Sequence, residues 1–350
     1  MAKRIPVGVL GATGAVGQRF VTLLEDHPWF ELTELAASDR SAGKSYKEAA
    51  VWRQYKPIPD RLKATTVKPC EPALDCRVVF SGLDSSVAGE IEESFARAGY
   101  IVLSNSKNHR MDKDVPLLVP EINPEHLDLI KVQRERRGWT GAIVTNPNCS
   151  TIGLVMALAP IHRAFGVKRV IVATMQALSG AGYPGLSAID MLGNVIPFIG
   201  GEEDKVETEP LKIMGALDGD GIRFADCRIS AHTNRVFVED GHMECVSLEL
   251  EKKATPDEVA GVLARFRSLP QELNLPSAPE RPVIVTDERD RPQPRFDRDA
   301  GNGMSAVVGR IRECPVFDIR LVVLSHNTIR GAAGAAILNA ELMSAQGLLE

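Results

Sequence analysis

The sequence predicts an α/β protein whose first half is a doubly wound parallel sheet and whose second half is α+β. Three observations support this prediction. Short apolar runs alternate with helical spacing up to residue 148, a glycine-rich turn follows the first run, and apolar and polar residues alternate in the later strands. At 350 residues the chain is long enough for two domains. We expect residues 1–148 plus 329–350 to form the first domain and 149–328 the second.

The first half is predicted to contain strands over residues 7–10, 30–36, 77–80 and 101–103. Helical spacing follows the first of these strands at 18–25 and the third at 87–98. Strands that alternate with helices are typical of a parallel sheet covered on both faces, so we expect a Rossmann-like domain.

The second half has predicted strands over residues 170–174, 245–250 and 319–324, each suited to a sheet with one solvated face. A helix is predicted over 256–266, with Thr255 as N-cap, Pro256 at the first helical position and Glu258 completing a capping box. The proline- and charge-rich segment 270–294 is interpreted as an irregular surface arm. Small residues from Gly331 onward predict a closely packed helix that ends near Gln346 and returns to the first domain.

Composition argues against several classes of function. The chain is 44% hydrophobic and 25% charged with a net charge of −5, which gives no reason to expect nucleic acid or an anionic membrane as a partner. No apolar run is long enough to cross a bilayer, and the N-terminus enters a strand directly instead of a signal peptide. The six cysteines include no C-x-x-C pair, which favours reduced thiols in the cytoplasm over disulfides or a metal site.

The glycine-rich turn after the first strand predicts a dinucleotide-binding loop. Gly11, Gly14 and Gly17 allow a tight turn and a close approach of the backbone to a pyrophosphate at the next helix. We assign the whole loop to the cofactor site, including Thr13, Ala15 and Val16. The alternative is an ordinary strand–turn–helix whose glycines serve packing.

The residues after the second strand indicate which nicotinamide cofactor is used. Folds that prefer NAD place an acid about 20 residues beyond the glycine loop, where this chain has Ala37. Ser38, Arg40 and Ser41 follow and suit a 2′-phosphate, which favours NADP. Asp39 leaves NAD open because its carboxylate suits a ribose hydroxyl, and a plain solvated loop is a third interpretation.

Cys149 is the strongest candidate for catalysis. Pro147 ends the preceding element, and Asn148, Ser150 and Thr151 are good N-cap residues for the apolar helix that follows. We therefore place Cys149 at a helix N-terminus, where unpaired N–H groups favour the thiolate and suit an oxyanion. The alternative is a half-buried structural cysteine.

Seven motifs together resemble the aspartate-semialdehyde dehydrogenases, most of all the archaeal and fungal branch of that family. They lie at residues 11–17, 37–44, 146–151, 176–182, 201–205, 234–242 and 327–334, and the similarity runs from Gly8 to about Leu342. The resemblance implies that the second domain is a catalytic and dimerisation domain. It also implies a homodimer or homotetramer built through that domain.

The resemblance implies catalytic roles for three residues. Cys149 corresponds to the nucleophile, His242 to the acid/base and Gln176 to the glutamine that orients the reacting group. A histidine with an unperturbed pKa of about 6.5 suits proton transfer at neutral pH. The alternative interpretation is that His242 only ends a turn before a strand. The cofactor contacts assigned besides the glycine loop are Asn327, at the nicotinamide, together with Ser81 and Gly180.

The implied substrate ligands are four charged residues. Arg235 corresponds to the arginine that binds the substrate carboxylate, Glu202 to the partner of its ammonium, and Lys205 with Arg110 to the residues that hold phosphate. These pairings agree with the preferences of guanidinium, carboxylate and ammonium groups. The alternatives are an ordinary i,i+3 surface pair for Glu202 and Lys205, and a solvated loop residue for Arg110.

The activity implied by the resemblance is the NADPH-dependent reductive dephosphorylation of L-aspartyl-4-phosphate to L-aspartate-4-semialdehyde. Such a reaction serves the biosynthesis of lysine, threonine, methionine and isoleucine. A malonyl-CoA reductase remains an alternative, but it has no need of the acidic and basic residues at 202–205. The cysteine motif does not resemble that of N-acyl-glutamyl-phosphate reductases. A non-catalytic NADP-binding sensor is disfavoured because Cys149 and His242 are both present.

Overall fold

The computed structural model describes residues 4–349, and two six-stranded sheets organise this part of the chain. The strands of the first sheet are Ile5–Leu10 (β1), Phe30–Ala37 (β2), Lys68–Pro69 (β3), Val78–Ser81 (β4), Ile101–Ser104 (β5) and Ala142–Thr145 (β6). All are parallel, in the spatial order β3-β2-β1-β4-β5-β6. This order is that of dinucleotide-binding folds and confirms the predicted Rossmann-like sheet.

Helices flank the first sheet at Ala15–Leu24 (α1), Tyr46–Ala49 (α2), Asp60–Lys63 (α3), Ser85–Arg97 (α4) and Leu129–Arg137 (α5), with a 3₁₀ turn at Pro124–Asp128. α1 and α4 confirm the two predicted helices, although each begins a few residues earlier than predicted. β3, β6 and α5 were not predicted from the sequence. β3 is only two residues long, and α5 has few apolar residues to reveal a helical spacing.

The second sheet is mixed. The strands of the second half are Val167–Gln176 (β7), Ala216–Asp218 (β8), Gly221–Arg223 (β9), Arg228–Arg235 (β10), His242–Leu250 (β11), Val283–Val285 (β12), Ala306–Glu313 (β13) and Ile319–Ser325 (β14). β8 and β9 pair as a separate hairpin, and the others form the order β10-β7-β11-β14-β13-β12. β7, β11 and β14 confirm the three predicted strands.

The helices of the second half are Cys149–Phe165 (α6), Ala188–Met191 (α7), Glu202–Ile213 (α8), Pro256–Ala264 (α9), Leu269–Glu272 (α10) and Pro294–Asp297 (α11), with a 3₁₀ turn at Leu178–Ala181. α6 is apolar along most of its length, and its Leu154 and Leu158 pack in one core with Val172, Leu248 and Leu321 of the sheet. The predicted capping box at Thr255 is confirmed.

The segment 270–294 is not the surface arm that its prolines predict. β12 lies within it and pairs in parallel with β13, so that it forms an edge of the second sheet. Val283 and Leu275 are buried. Proline removes a backbone donor, but an edge strand of three residues needs few of them, which explains how so proline-rich a segment contributes a strand.

The chain returns to the first sheet after β14, as predicted. A π-helical turn at Ile329–Ala333 leads into Gly334–Ala345 (α12). Ala336 and Met343 of α12 share a core with Phe20 and Phe80 of the first sheet's layers. Asn339 of α12 donates from Nδ2 to Asn146 Oδ1 at 2.6 Å.

No helix within residues 4–349 has the length and apolar character needed to span a membrane. Residues 1–3 and 350 of the predicted first domain lie outside the described residues.

Candidate active site

Cys149 is the first residue of α6, immediately beyond β6, which confirms its predicted place at a helix N-terminus. Asn148 is the N-cap, and its Oδ1 accepts the N–H groups of Ser150 at 2.9 Å and Thr151 at 3.2 Å. The expectation that these N–H groups serve an oxyanion is therefore wrong for Ser150 and Thr151, since a side chain already occupies them.

His242 begins β11 and faces the cysteine. Its Nε2 lies 3.2 Å from Cys149 Sγ. Its Nδ1 accepts the Ala177 backbone N–H at 3.0 Å. Because Nδ1 accepts, we assign the proton of the neutral ring to Nε2, where it points at the sulfur.

Burial dominates the protonation of this pair. It lowers the pKa of His242 to about 3, an effect that Arg235 reinforces. Burial also raises the pKa of Cys149 to about 12 with Glu202 adding to the rise, while Arg110, Lys205 and Arg235 act in the opposite direction. The site thus contains a thiol and a neutral imidazole. The predicted thiolate and the predicted unperturbed histidine pKa are both wrong here, because desolvation outweighs the helix N-terminus.

Glu202 accepts hydrogen bonds from three side chains near Cys149. Its Oε1 accepts from Asn148 Nδ2 at 2.7 Å and Gln176 Nε2 at 2.9 Å, and its Oε2 accepts from Lys205 Nζ at 2.7 Å. Burial alone raises the pKa of Glu202, but Lys205 and the two amide donors hold it at about 2. Glu202 is therefore ionised although buried. The surface-pair interpretation of Glu202 and Lys205 does not describe this arrangement.

Gln176 and Arg235 end two neighbouring parallel strands, β7 and β10, and are paired in register. Arg235 donates from Nη1 to the Ala177 carbonyl at 2.6 Å. The position of Gly180 is closely restricted by these groups, since a Cβ there would lie 2.8 Å from Arg235 Nη1 and 3.1 Å from His242 Nε2. Only glycine fits between the arginine and the histidine without displacing one of them.

Arg110 is buried and is not the solvated loop residue of the alternative interpretation. Its Nη1 forms an ion pair with Glu209 Oε1 at 2.9 Å, and its Nη2 donates to the Asn105 carbonyl at 2.8 Å. Glu209 was not singled out in the sequence. It lies seven positions after Glu202 on α8 and so shares a helix face with it, which is the signal that identifies it.

These residues surround a cavity of about 750 Å³ between the two sheets. Its lining includes nine of the nineteen predicted site residues, namely Ala15, Val16, Arg110, Cys149, Gly180, Glu202, Lys205, Arg235 and Asn327. Gln176 and His242 are buried at its wall. Gly331 closes the opposite side of the cysteine, because a Cβ there would lie 2.8 Å from Cys149 Cβ.

The glycine loop at one end of this cavity suits a dinucleotide phosphate. Gly11 has φ of +75°, and a Cβ on Gly17 would lie 2.1 Å from the Gly11 carbonyl oxygen. Gly14 is the N-cap of α1, and no side chain caps the first turn there. The N–H groups of Ala15 and Val16 therefore begin the helix at the cavity without a capping side chain, the arrangement that binds phosphate groups. Thr13 lies within the same loop.

Two other groups of predicted cofactor residues differ in exposure. Ser38 and Arg40, with Asp39, are exposed in a turn beyond β2, and Ser41 is half-buried there. Asn327 joins two loops at the cavity, since its Oδ1 accepts from Gly241 N–H and its Nδ2 donates to Ser179 Oγ, both at 2.8 Å.

Ser81 is set apart from the rest. It is fully buried at the end of β4, and its hydroxyl donates to Glu92 Oε1 at 2.6 Å. Its side chain is thus engaged inside the first domain and is not part of the cavity lining.

Comparison with known proteins gives matches over almost the whole chain. Residues 6–130 match the family model "Semialdehyde dehydrogenase, NAD binding domain", and residues 158–330 match "Semialdehyde dehydrogenase, dimerisation domain". The chain is 54% identical to the aspartate-semialdehyde dehydrogenase of Archaeoglobus fulgidus, over 97% of this chain and 98% of that one.

Two solved structures are similar throughout. The aspartate semialdehyde dehydrogenase of Candida albicans, solved with NADP, superimposes with a TM-score of 0.92 at 46% identity, covering 99% of this chain and 100% of that one. The aspartate semialdehyde dehydrogenase II of Vibrio cholerae, complexed with ASA, gives a TM-score of 0.77 at 27% identity, over 98% and 99% of the two chains.

Proposed function

The chain belongs to the aspartate-semialdehyde dehydrogenase family, and from that premise we propose that it catalyses the NADPH-dependent reductive dephosphorylation of L-aspartyl-4-phosphate to L-aspartate-4-semialdehyde. The reaction proceeds through a thioester on Cys149 and serves the biosynthesis of aspartate-family amino acids. The observation that carries this proposal is the cavity itself. Its nucleophile–imidazole contact of 3.2 Å lies among a set of charged residues complementary to the substrate.

The charges of the cavity fit the three charged groups of aspartyl phosphate. Arg235 suits the carboxylate, and the ionised Glu202 suits the ammonium. Lys205 and Arg110 suit the phosphate. Lys205 is paired with Glu202 in the structure. A bound substrate separates this pair, because its ammonium pairs with Glu202 and its phosphate pairs with Lys205.

Substrate binding also prepares the nucleophile. Glu202 is the neighbouring charge that raises the pKa of Cys149. A substrate ammonium paired with Glu202 offsets that effect, while Arg110 and Arg235 continue to favour the thiolate. Cys149 Sγ then attacks the acyl carbon and the bond to the phosphate oxygen breaks, so that the thiol proton leaves with the phosphate and the acyl group remains on the sulfur as a thioester.

The remaining steps return the sulfur to its starting state. When bound, the nicotinamide cofactor supplies the hydride that reduces the acyl carbon. Cys149 then departs as the carbon–sulfur bond breaks. His242 holds a proton on Nε2 toward the sulfur, so it stabilises negative charge there whenever the thiolate forms. After the semialdehyde leaves, the thiolate takes up a proton from solvent and Cys149 is a thiol again.

NADP is the proposed cofactor. The glycine loop fits a pyrophosphate, and Ser38, Arg40 and Ser41 offer hydroxyl and guanidinium groups suited to a 2′-phosphate. The structure of the Candida albicans relative with NADP supports this choice.

The second domain is the proposed site of self-association. We infer a homodimer or homotetramer, supported by the match of residues 158–330 to a dimerisation-domain model. The division at residues 148/149 and 328/329 is likewise a proposal, supported by the separate sheets on either side of α6. A cytoplasmic location is inferred from cysteines that form no disulfide among residues 4–349.

The test is phosphate-dependent reduction of NADP by the purified protein with L-aspartate-4-semialdehyde. We expect rapid NADPH formation that requires both the semialdehyde and phosphate, and slower turnover with NAD. Oxidation of NADPH with malonyl-CoA is run in parallel. Turnover with malonyl-CoA but not with the semialdehyde would show that the protein is a malonyl-CoA reductase. Absence of turnover with both substrates would favour a non-catalytic NADP-binding sensor.

A further inference from the structure

One face of α8 carries four charged residues, Glu202, Lys205, Glu209 and Lys212, all directed toward the first domain or the cavity. Residues three and four positions apart lie on the same side of a helix. Glu202 and Lys205 belong to the proposed substrate site. Glu209 and Lys212 have no role in it so far, although both are almost completely buried.

Glu209 uses both of its carboxylate oxygens. Oε1 accepts from Arg110 Nη1 at 2.9 Å. Oε2 accepts from the backbone N–H of Asn148 at 2.6 Å. Because Asn148 is the N-cap of α6 and precedes Cys149, one carboxylate joins the proposed phosphate-binding arginine to the residue before the nucleophile.

Two of the five N–H donors of Arg110 have partners among residues 4–349. Nη1 binds Glu209 and Nη2 binds the Asn105 carbonyl, whereas the buried Nε has no partner among residues 4–349. A buried N–H without an acceptor is costly unless a ligand or water supplies one. Glu209 and the Asn105 carbonyl thus fix the guanidinium plane of a residue that lines the cavity and still has unpaired donors.

Lys212 fixes the backbone of the same loop. Its Nζ donates to the carbonyl oxygens of Arg110 at 2.7 Å, Asp112 at 2.7 Å and Val115 at 2.8 Å. Three carbonyls satisfy all three donors of an ammonium, so this lysine has no donor left for a ligand. Its part is to attach the loop that carries Arg110 to α8.

We propose that Glu209 is a positioning residue for the phosphate of the reaction: it orients Arg110 and couples that orientation to the start of α6 at Cys149. This inference rests on the proposed function for the identity of the ligand. It predicts that loss of the Glu209 carboxylate weakens phosphate binding selectively, because within residues 4–349 Glu209 hydrogen-bonds directly to Arg110 but to neither Arg235 nor Glu202.

The test is Glu209→Gln in the full-length protein, with Glu207→Gln as the matched control on the same helix. Arg110 and Asn148 donate to different oxygens of Glu209, so a glutamine in the same position faces one of these two donors with its NH₂ group. We expect the KM for phosphate to rise roughly tenfold or more, with the KM for semialdehyde changed less than about twofold. Within residues 4–349 Glu207 accepts only from the Ala231 N–H, at 2.9 Å. Glutamine can preserve this bond, so the control should behave like the wild type.

A double-mutant cycle distinguishes positioning from general damage. If Glu209 acts through Arg110, Glu209→Gln should add little to the phosphate KM of an Arg110→Met variant, whereas independent effects would multiply. A proportional rise of both KM values in Glu209→Gln, or fully independent effects in the cycle, would overturn the proposal.

A second measurement does not require turnover. Inorganic phosphate should protect Cys149 of the wild-type protein from alkylation by iodoacetamide, and Glu209→Gln should need roughly tenfold more phosphate for the same protection. Equal protection in the two proteins would overturn the role of Glu209. Failure of the wild type to turn over semialdehyde, with phosphate protection intact and Glu209-dependent, would instead refute the proposed function and leave the positioning role supported.

Discussion

Two helices begin at the same edge of the first sheet, and their N-termini are used in opposite ways. α1 follows β1, has glycine at its N-cap and leaves its first turn without a side-chain partner. α6 follows β6, and the N-cap side chain of Asn148 occupies the N–H groups of Ser150 and Thr151. A helix N-terminus is therefore a site for a ligand's phosphate only where the sequence supplies no internal acceptor.

The two helix N-termini also differ in the groups that form the binding site beside them. The phosphate loop at α1 is made of backbone and depends on the absence of Cβ atoms. The site at α6 is made of side chains from α8, β7, β10, β11 and the loop before α5, held together by hydrogen bonds. We expect mutations at α1 to affect cofactor affinity, and mutations at α6 to affect the chemical step.

The largest effect is expected at the α6 end. Cys149→Ser should lower kcat by about 1,000-fold or more, because an alkoxide forms far less readily than a thiolate at neutral pH. The affinity for NADPH, measured by fluorescence titration, should stay within about twofold. A variant that retains a tenth of the activity would refute the covalent scheme.

The corresponding change at the α1 end is Gly17→Ala. The added Cβ would lie 2.1 Å from the Gly11 carbonyl oxygen, so the turn must shift at a cost of about 2–4 kcal/mol. We expect NADPH affinity to fall roughly a hundredfold, measured by the same titration. Gly14→Ala is the control, since a Cβ there would lie 3.3 Å from the same oxygen. Equal losses in the two variants would contradict a backbone-made loop.

The third prediction concerns His242 and pH. Its folded pKa of about 3 lies below the unfolded value of about 6.5. The unfolded chain therefore takes up a proton first, and the stability contributed by the neutral ring is full above pH 6.5 and declines as the pH falls toward 3. The slope is about 1.4 kcal/mol per pH unit for this one group. Urea unfolding at pH 7, 6 and 5 measures it.

His242→Gln supplies the comparison for that slope. The variant should lose stability less steeply between pH 7 and 5, and its kcat should fall about a hundredfold with cofactor affinity retained. Equal pH slopes for wild type and variant would mean that the histidine is not held neutral by burial.

The smallest effect is expected from the cap of α6. Asn148→Ala should lower the free energy of unfolding by about 1 kcal/mol. Ser150→Ala is the control, because its buried hydroxyl has no partner among residues 4–349, and it should leave stability nearly unchanged. Comparable losses of unfolding free energy in the two variants would show that the Asn148 cap does not stabilise the helix.

Local patterns in the sequence were sufficient for four of the six strands of the first sheet, the glycine loop and the place of Cys149 at a helix start, since each depends on residues close together in the chain. They were insufficient for Glu209, which reaches Arg110 across 99 positions and Asn148 across 61. They also gave the wrong protonation for Cys149 and His242. Burial decides both pKa values, and burial is a property of the assembled domains that residue spacing does not contain.

The last turns of the fold have a consequence for the order in which this protein becomes reactive. Asn146, three residues before the nucleophile, donates to the Ala332 carbonyl at 2.9 Å and accepts from Asn339 at 2.6 Å, and Gly331 lies against Cys149 itself. During synthesis, residues 331–339 leave the ribosome after both sheets. The nascent chain thus lacks a finished thiol site until residues 331–339 have been made, even though His242, the contact of the sulfur, is synthesised earlier.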